Sequence, residues 1–377
     1  MSKYKIAWLP GDGVGPELAG LAKRVLNQLG LDATYINGDI GWDFWKSEGN
    51  PLPSKTRQII QDTDCAFMVA ITSKPQSQAI NELEPSIKKE GIKYISPILT
   101  IRQDMNLHTN IRPCKSFTGN RLNYQDGIDI TIIRENTEGL YSGVEFFPVP
   151  GKVFSALNNH NVNMNRFSEH SLNDLAISTR ICTRKGCSSI VYQAFEYAKK
   201  NNNKSVTLVD KPNVLRETGQ LMSEEARKIA KEYPEINFSE ANMDAMCMWM
   251  VKNPEEYDVL VAENMFGDIL SDLAAQLVGG LGFVGSANIG DDYALFEPCH
   301  GSVPKYKGQN KVNPIATFLS LKMMLDWLGE KKMANNLENA ISKLIKMNKY
   351  GTYDMGFNNN NIEITEHICN NLKDEMN

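Results

Sequence analysis

A layered α/β fold, with helices on both faces of a largely parallel sheet, is predicted by three observations on this 377-residue chain. It opens with a strand, a glycine turn and a helix; short apolar runs recur and read as buried strands; and helical patterns separate those runs. The first strand covers residues 5–9. The turn Gly11-Asp-Gly-Val-Gly15 follows, then a helix over 16–29 with proline at its first position, where a missing N–H leaves no bond unmade. Leu18, Leu21, Val25, Leu26 and Leu29 give that helix one apolar stripe. Further strands are expected at 65–71, 129–133, 205–209 and 258–262, and helices at 224–232 and 319–328. The length allows two domains or one large α/β unit, and with no linker or repeat in view two domains are expected to interleave.

The glycine turn is Gly-x-Gly-x-Gly, not the Gly-x-Gly-x-x-Gly fingerprint of a dinucleotide-binding unit. It reads either as a tight structural turn or as a set of backbone N–H groups offered to an anion. Forty basic against forty-five acidic residues leave a net charge of −5, without the basic block that would track a phosphate backbone, so a nucleic-acid partner is not expected. No run approaches the ~20 apolar residues of a membrane span, and the first ten residues lack a signal-peptide core. The seven cysteines are unpatterned, and the closest pair, Cys182 and Cys187, lacks zinc-ribbon spacing. A soluble protein of a reducing cytoplasm is the expectation. Asparagine runs at 201–203 and 358–361 read as loops.

Asp268 and Asp272 stand four residues apart in Glu263-Asn-Met-Phe-Gly-Asp-Ile-Leu-Ser-Asp272, and helical spacing stacks them on one face. Like charges so placed cost about 0.2–0.5 kcal/mol, so the pair calls for solvent or a positive partner. A solvated helix face is one reading; hard oxygen ligands for Mg²⁺ or Mn²⁺ are the other. The pair opens a helix just after the 258–262 strand, where ligands collect in α/β sheets. Three arginines, Arg102, Arg112 and Arg134, lie in segments that look ordered. Guanidinium forks bind carboxylates bidentately, so their convergence would imply a substrate with two or three carboxylates. Lys211 and Asn213 also follow a strand end, where a lysine buried near other cations can act as a base.

Together, Leu9-Pro-Gly-Asp-Gly-Val-Gly-Pro-Glu17, Asn110-Ile-Arg-Pro113, Arg134-Glu-Asn-Thr-Glu-Gly-Leu-Tyr141, Asp210-Lys-Pro-Asn213 and Asn264-Met-Phe-Gly-Asp-Ile-Leu-Ser-Asp272 resemble the metal-dependent β-decarboxylating dehydrogenases, the isocitrate and isopropylmalate dehydrogenase family. The resemblance runs from about residue 5 to about residue 370. It implies two interleaved α/β domains around a shared mixed sheet, not a Rossmann fold. The large, cofactor-binding domain is then 1–107 with 279–377, and the small domain 108–278 carries dimerisation, the metal site and a clasp-like segment at about 139–183. It further implies that Arg102, Arg112 and Arg134 hold the malate carboxylates, Tyr141 is the general acid, and Lys211 is the base reaching in from a neighbouring subunit. Asp244, Asp268 and Asp272 become the metal ligands, with Asp244 also supplied across a homodimer. A lysine suits removal of a hydroxyl proton, and a metal cation suits polarisation of the resulting carbonyl for loss of CO₂.

The same resemblance assigns Ile71, Thr72, Glu297, His300, Gly301, Lys305, Tyr306, Asn313, Tyr353 and Asp354 to the nicotinamide cofactor, with His300 and Asn313 at the adenine. NAD-using members carry an acid and an aliphatic residue where this chain has Lys305 and Tyr306, which leans toward NADP. Tyr353 fits the NADP pattern, while Phe357 stands where an arginine is expected. A helix starting at Ser96-Pro97 should set the substituent at malate carbon 3. Ser96 resembles the serine that holds the γ-carboxylate of isocitrate, yet Ile98, on the face of Arg102, replaces an expected asparagine and suits an alkyl group. Asn264-Met-Phe-Gly-Asp268 resembles isopropylmalate enzymes, whereas Pro304-Lys-Tyr306 and Lys311-Val-Asn-Pro314 resemble isocitrate ones. Isocitrate is the expected substrate, with isopropylmalate and then homoisocitrate as alternatives. A catalytically silent regulatory paralogue is the remaining reading, against which stand Tyr141, Lys211 and all three aspartates.

Overall fold

The computed structural model describes residues 2–88 and 91–376. Ten of its strands form one sheet: β1 (Tyr4–Gly11), β2 (Ala33–Asn37), β3 (Cys65–Ala70), β4 (Thr109–Lys115), β5 (Asp129–Glu135), β8 (Ser205–Asp210), β9 (Asn237–Asn242), β10 (Val259–Ala262), β11 (Gly285–Ile289) and β12 (Ala294–Pro298). The short strands β6 (Glu145–Phe146) and β7 (Ile177–Ser178) pair apart from it. The order is β2-β1-β3-β12-β11-β4-β5-β10-β8-β9. The halves β2-β1-β3-β12 and β5-β10-β8-β9 are parallel within themselves. Antiparallel pairings of β11 with β12 and β4, and of β4 with β5, join them. The sheet is therefore mixed, as the resemblance implied, and less parallel than the alternation of elements alone suggested.

Period-2 alternation divides the cores. Ile6 and Trp8 of β1 pack with the helices Gly15–Leu29, Ile315–Trp327 and Lys331–Met347, while Ala7 and Leu9 face Ile60, Ile101 and Leu295 on the other side. In the second half, Val206 and Leu208 pack with the helices Arg184–Lys200 and Arg216–Ala230. Ile130, Ile132 and Leu260 pack with Met243–Lys252 and Asn264–Leu277. The predicted strands are all present, shifted by one or two residues at their ends. The predicted helix at 224–232 is the second half of Arg216–Ala230.

Strands β4, β9 and β11 escaped sequence reading because their apolar pattern is broken by Asn110 and Arg112, by the exposed run Asn-Phe-Ser-Glu-Ala-Asn, and by Ser286 and Asn288. The glycine turn is the structural one. Gly11 (φ 72°) and Gly13 (φ 56°) lie so close to the carbonyls of Ala70 and Ser302 that any side chain there would overlap them. The amides of Asp12 and Val14 bond to those carbonyls at 2.8 and 3.0 Å, so they are spent on the fold and not offered to an anion. Among the described residues no helix is long and apolar enough to cross a membrane.

Candidate active site

Three buried guanidiniums meet where the two halves of the sheet join. Arg102 comes from the helix Pro97–Asp104, Arg112 from β4 and Arg134 from β5. Burial first, and then the neighbouring charges of Arg112 and Arg102, draw Arg134 down to about 9. Such mutual repulsion holds only where carboxylates balance it. Arg102 Nη2 lies 3.2 Å from Glu297 Oε1; Arg112 Nη1 lies 3.4 Å from Asp268 Oδ1 and 3.7 Å from Asp272 Oδ1; Arg134 pairs with Asp268. The aspartate pair is thus stacked on one face of Asn264–Leu277, as its spacing predicted, and the positive partner in this chain is arginine. A buried polar ladder sets the fork angles. Arg112 Nε donates to Asn110 Oδ1 at 2.8 Å, Asn110 Nδ2 to Asn288 Oδ1 at 2.9 Å, and Asn288 Nδ2 to Glu297 Oε1 at 2.8 Å.

Tyr141 reaches the same cluster from a short 3₁₀ turn, its hydroxyl donating to Asp268 Oδ2 at 3.2 Å and its ring 5.5 Å from the Arg134 guanidinium. Burial, and then the charge of Asp268, raise its hydroxyl above the ordinary range, so it holds its proton at neutral pH. A cavity of about 180 Å³ opens beside these groups, lined by Ile71, Ser73, Ile98, Arg102, Arg112, Glu297, His300 and Gly301 among others. Residues assigned to substrate and to cofactor therefore share one space. Ser96 accepts from Ser73 Oγ at 3.2 Å, and Tyr94 Oη lies 3.1 Å from the same Ser73 oxygen.

Lys211 and Asp244 stand elsewhere. They pair with each other at the ends of β8 and β9, and Asp244 is mostly exposed. Asn213 is exposed beside them. One chain therefore does not bring Asp244 to Asp268 and Asp272. Of the residues expected at the cofactor, Thr72 donates its amide to Asp12 Oδ2 at 2.7 Å, and Asn313 donates to Asp354 Oδ2 at 3.2 Å. The ring of Tyr306 meets that of Tyr353 at 5.4 Å, with Lys305 Nζ 4.8 Å above it. His300 bonds Gly301 O through Nδ1, and its buried Nε2 has no partner among the described residues.

A model of the isocitrate/isopropylmalate dehydrogenase family matches residues 5–372. The chain belongs to that family. Homoisocitrate dehydrogenase of Methanocaldococcus jannaschii is 38% identical and covers 99% of both chains. Protein DlpA of Legionella pneumophila is 41% identical over 93% of this chain, which spans 56% of DlpA's own length. Crystalline isocitrate dehydrogenase from Methylococcus capsulatus superposes with a TM-score of 0.85 at 35% identity, over 98% of this chain and 99% of that one. The two dehydrogenases among these relatives carry different substrate names, so the substrate rests on side chains and not on the family.

Sequence reading missed four residues in or beside this candidate site. Arg180, 7% exposed, donates to Asp210 Oδ1 and Oδ2 at 3.0 and 2.8 Å and stands 3.8 Å from Glu263 Oε2. Asp210 precedes Lys211 and accepts its amide at 2.7 Å; Glu263 precedes the aspartate helix and accepts the Leu140 amide at 3.3 Å. One buried cation thus ties together the turns carrying Tyr141, Lys211 and Asp268. Two acids ending adjacent buried strands were the signal, since such a pair requires a cation. Arg121 is the fourth: its guanidinium lies 5.5 Å from the Phe357 ring, bringing positive charge to the position where the sequence has none.

Proposed function

We propose that the protein is a divalent-metal-dependent dehydrogenase that oxidatively decarboxylates a 3-substituted malate, isocitrate first among the candidates, with NADP favoured over NAD. The observation that carries this reading is the convergence of three buried guanidiniums on two helix-stacked carboxylates, with Tyr141 bonded to one of them. Glu297, Asp268 and Asp272 already balance the three arginines, so a polyanion would add unopposed negative charge unless a cation entered with it. The donor set fits one: Asp272 is exposed with only a 3.7 Å contact, and its oxygens are hard. Asp268 and Asp272 would hold Mg²⁺ or Mn²⁺, with Asp244 from a second copy of the chain, leaving the arginines free for substrate carboxylates. A homodimer is supported by Met248, Val251 and Ile269, exposed on the two helices bearing these aspartates, and by Phe147 and Val162, 73% and 79% exposed in the clasp segment.

A cation held by Asp268 and Asp272 would supply polarisation of the substrate oxygen, and a nicotinamide cofactor would supply the hydride acceptor. The chain does the rest. Arg102, Arg112 and Arg134 orient the malate carboxylates; Lys211 takes the hydroxyl proton; Tyr141 returns a proton to the carbon that lost CO₂. The orphaned Nε2 of His300 fits an adenine nitrogen, and Lys305, Tyr306 and Arg121 fit a 2′-phosphate. Ser73, Tyr94 and Ser96 offer three hydroxyls at the substituent end, which supports a polar substituent. Ile98 in the same cavity favours isopropylmalate as the second reading.

Initial rates with isocitrate, isopropylmalate and homoisocitrate, each with NAD and NADP, test this. Isocitrate with NADP is expected to be fastest, and excess chelator is expected to abolish turnover until Mg²⁺ or Mn²⁺ is returned. No turnover with any pair sinks the enzymatic reading in favour of a silent paralogue. In the double variant Lys305→Asp, Tyr306→Ile, loss of the cation and gain of a ribose acceptor are expected to move the NADP/NAD efficiency ratio toward NAD by about tenfold or more. An unchanged ratio removes this loop from cofactor choice.

A further inference from the structure

Cys182 and Cys187 flank the start of the helix Arg184–Lys200, and the site described above uses neither. Thr183 is the N-cap, its hydroxyl accepting the Gly186 amide at 3.0 Å. Cys182 is therefore the residue before the cap and Cys187 the fourth of the helix. These are the two positions whose side chains meet when an apolar staple closes a helix start. Here both are thiols. They line one small enclosure together with Glu135, Glu138, Gly139 and Glu263, Cys187 buried and Cys182 half-buried. Each is the largest influence on the other: the Cys187 thiol holds Cys182 below its ordinary range, with Arg180 assisting against burial, and Cys187 is pushed up in return. The accessible thiol is thus the nucleophile and the buried one its resolving partner.

We propose that Cys182 and Cys187 form a reversible dithiol–disulfide site, oxidised by low-molecular-weight disulfides. The Cys182 thiolate attacks one sulfur of the small disulfide, whose other sulfur leaves as thiolate. Cys187 then gives up its proton and attacks the Cys182 sulfur, expelling the second small thiol. Two protein thiols become one disulfide, one small disulfide becomes two thiols, and both protons end on the leaving groups. Transient, sensing disulfides of this kind are the ones a reducing compartment permits.

The bridge would act on the segment carrying Tyr141. Gly139 N donates to Ile181 O at 2.7 Å and Ile181 N to Gly139 O at 3.3 Å. Thr183 donates through its amide to Glu138 Oε2 at 2.7 Å and through its hydroxyl to Glu138 Oε1 at 2.5 Å. The neighbours of Cys182 on both sides therefore hold Glu138 and Gly139, and drawing Cys182 toward Cys187 loads these bonds.

The full-length protein, equilibrated in glutathione buffers of rising oxidised fraction, alkylated and mapped by mass spectrometry, provides the test. The peptide spanning both cysteines is expected to lose two hydrogens and to regain them with dithiothreitol. Cys187→Ser is expected to trap glutathione on Cys182, while Cys182→Ser leaves Cys187 unmodified. Hydrogen exchange at the Gly139 and Leu140 amides is expected to change by about threefold or more between the reduced and oxidised wild-type protein. Both thiols remaining alkylatable in the most oxidised buffer, or a bridge that leaves that exchange unaltered, overturns the proposal. Neither readout depends on which substrate the enzyme takes.

Discussion

Replacing Lys211 with methionine is expected to lower turnover by about 10²–10⁴-fold while leaving the fold and the proposed dimer in place, because a positioned base, the role proposed for Lys211, contributes that much and methionine keeps the length of the stem. The partner left behind, Asp244, has a side chain 71% exposed, so water takes over its charge. Steady-state kinetics with the best substrate, alongside sedimentation of the variant, make the comparison. Near-normal turnover in a dimeric Lys211→Met protein would remove the lysine from the chemistry. A variant that falls apart to monomers would instead place Lys211 in assembly.

The largest stability effect is expected at Arg180. Its guanidinium is held above its ordinary value, although burial pulls it down, by the hydrogen bond to Asp210 and the charges of Asp210 and Glu263. Asp210 and Glu263 are 1% and 3% exposed. Arg180→Met leaves both without a cation, a defect that costs about 3–5 kcal/mol when one partner of a buried pair is removed. Urea denaturation of wild type and variant at neutral pH checks the size. A loss below about 1 kcal/mol would show that water reaches the cluster.

Much of this architecture was legible in the chain because it rests on short-range pattern. The strand, glycine turn and helix at 4–29 follow from alternation, an apolar stripe and a proline, and the stacking of Asp268 on Asp272 follows from helical geometry alone. Arg102, Arg112 and Arg134 were nameable, and so were Tyr306 and Tyr353, but not the contact between those two rings. What resisted reading was polar and buried. Asn110, Asn288 and Ser286 hide two central strands, β4 and β11, by interrupting their apolar runs, and they do so because they hold the arginine forks. Arg180 was hidden for a different reason: it lies in an irregular stretch, and its partners Asp210 and Glu263 are 30 and 83 residues away.

The pairing of β3 with β12, Ala66 beside Leu295, sets a timetable for biogenesis. While the ribosome extends the chain at ~5–20 residues per second, β1, β2 and β3 emerge as a three-stranded fragment whose β3 edge is still open, and it waits roughly 10–45 s for the segment that covers that edge. The middle of the polypeptide, whose strands β5, β8, β9 and β10 all lie between residues 129 and 262, can close first. A nascent chain stalled near residue 290 should therefore resist protease in its centre while its beginning is still cut.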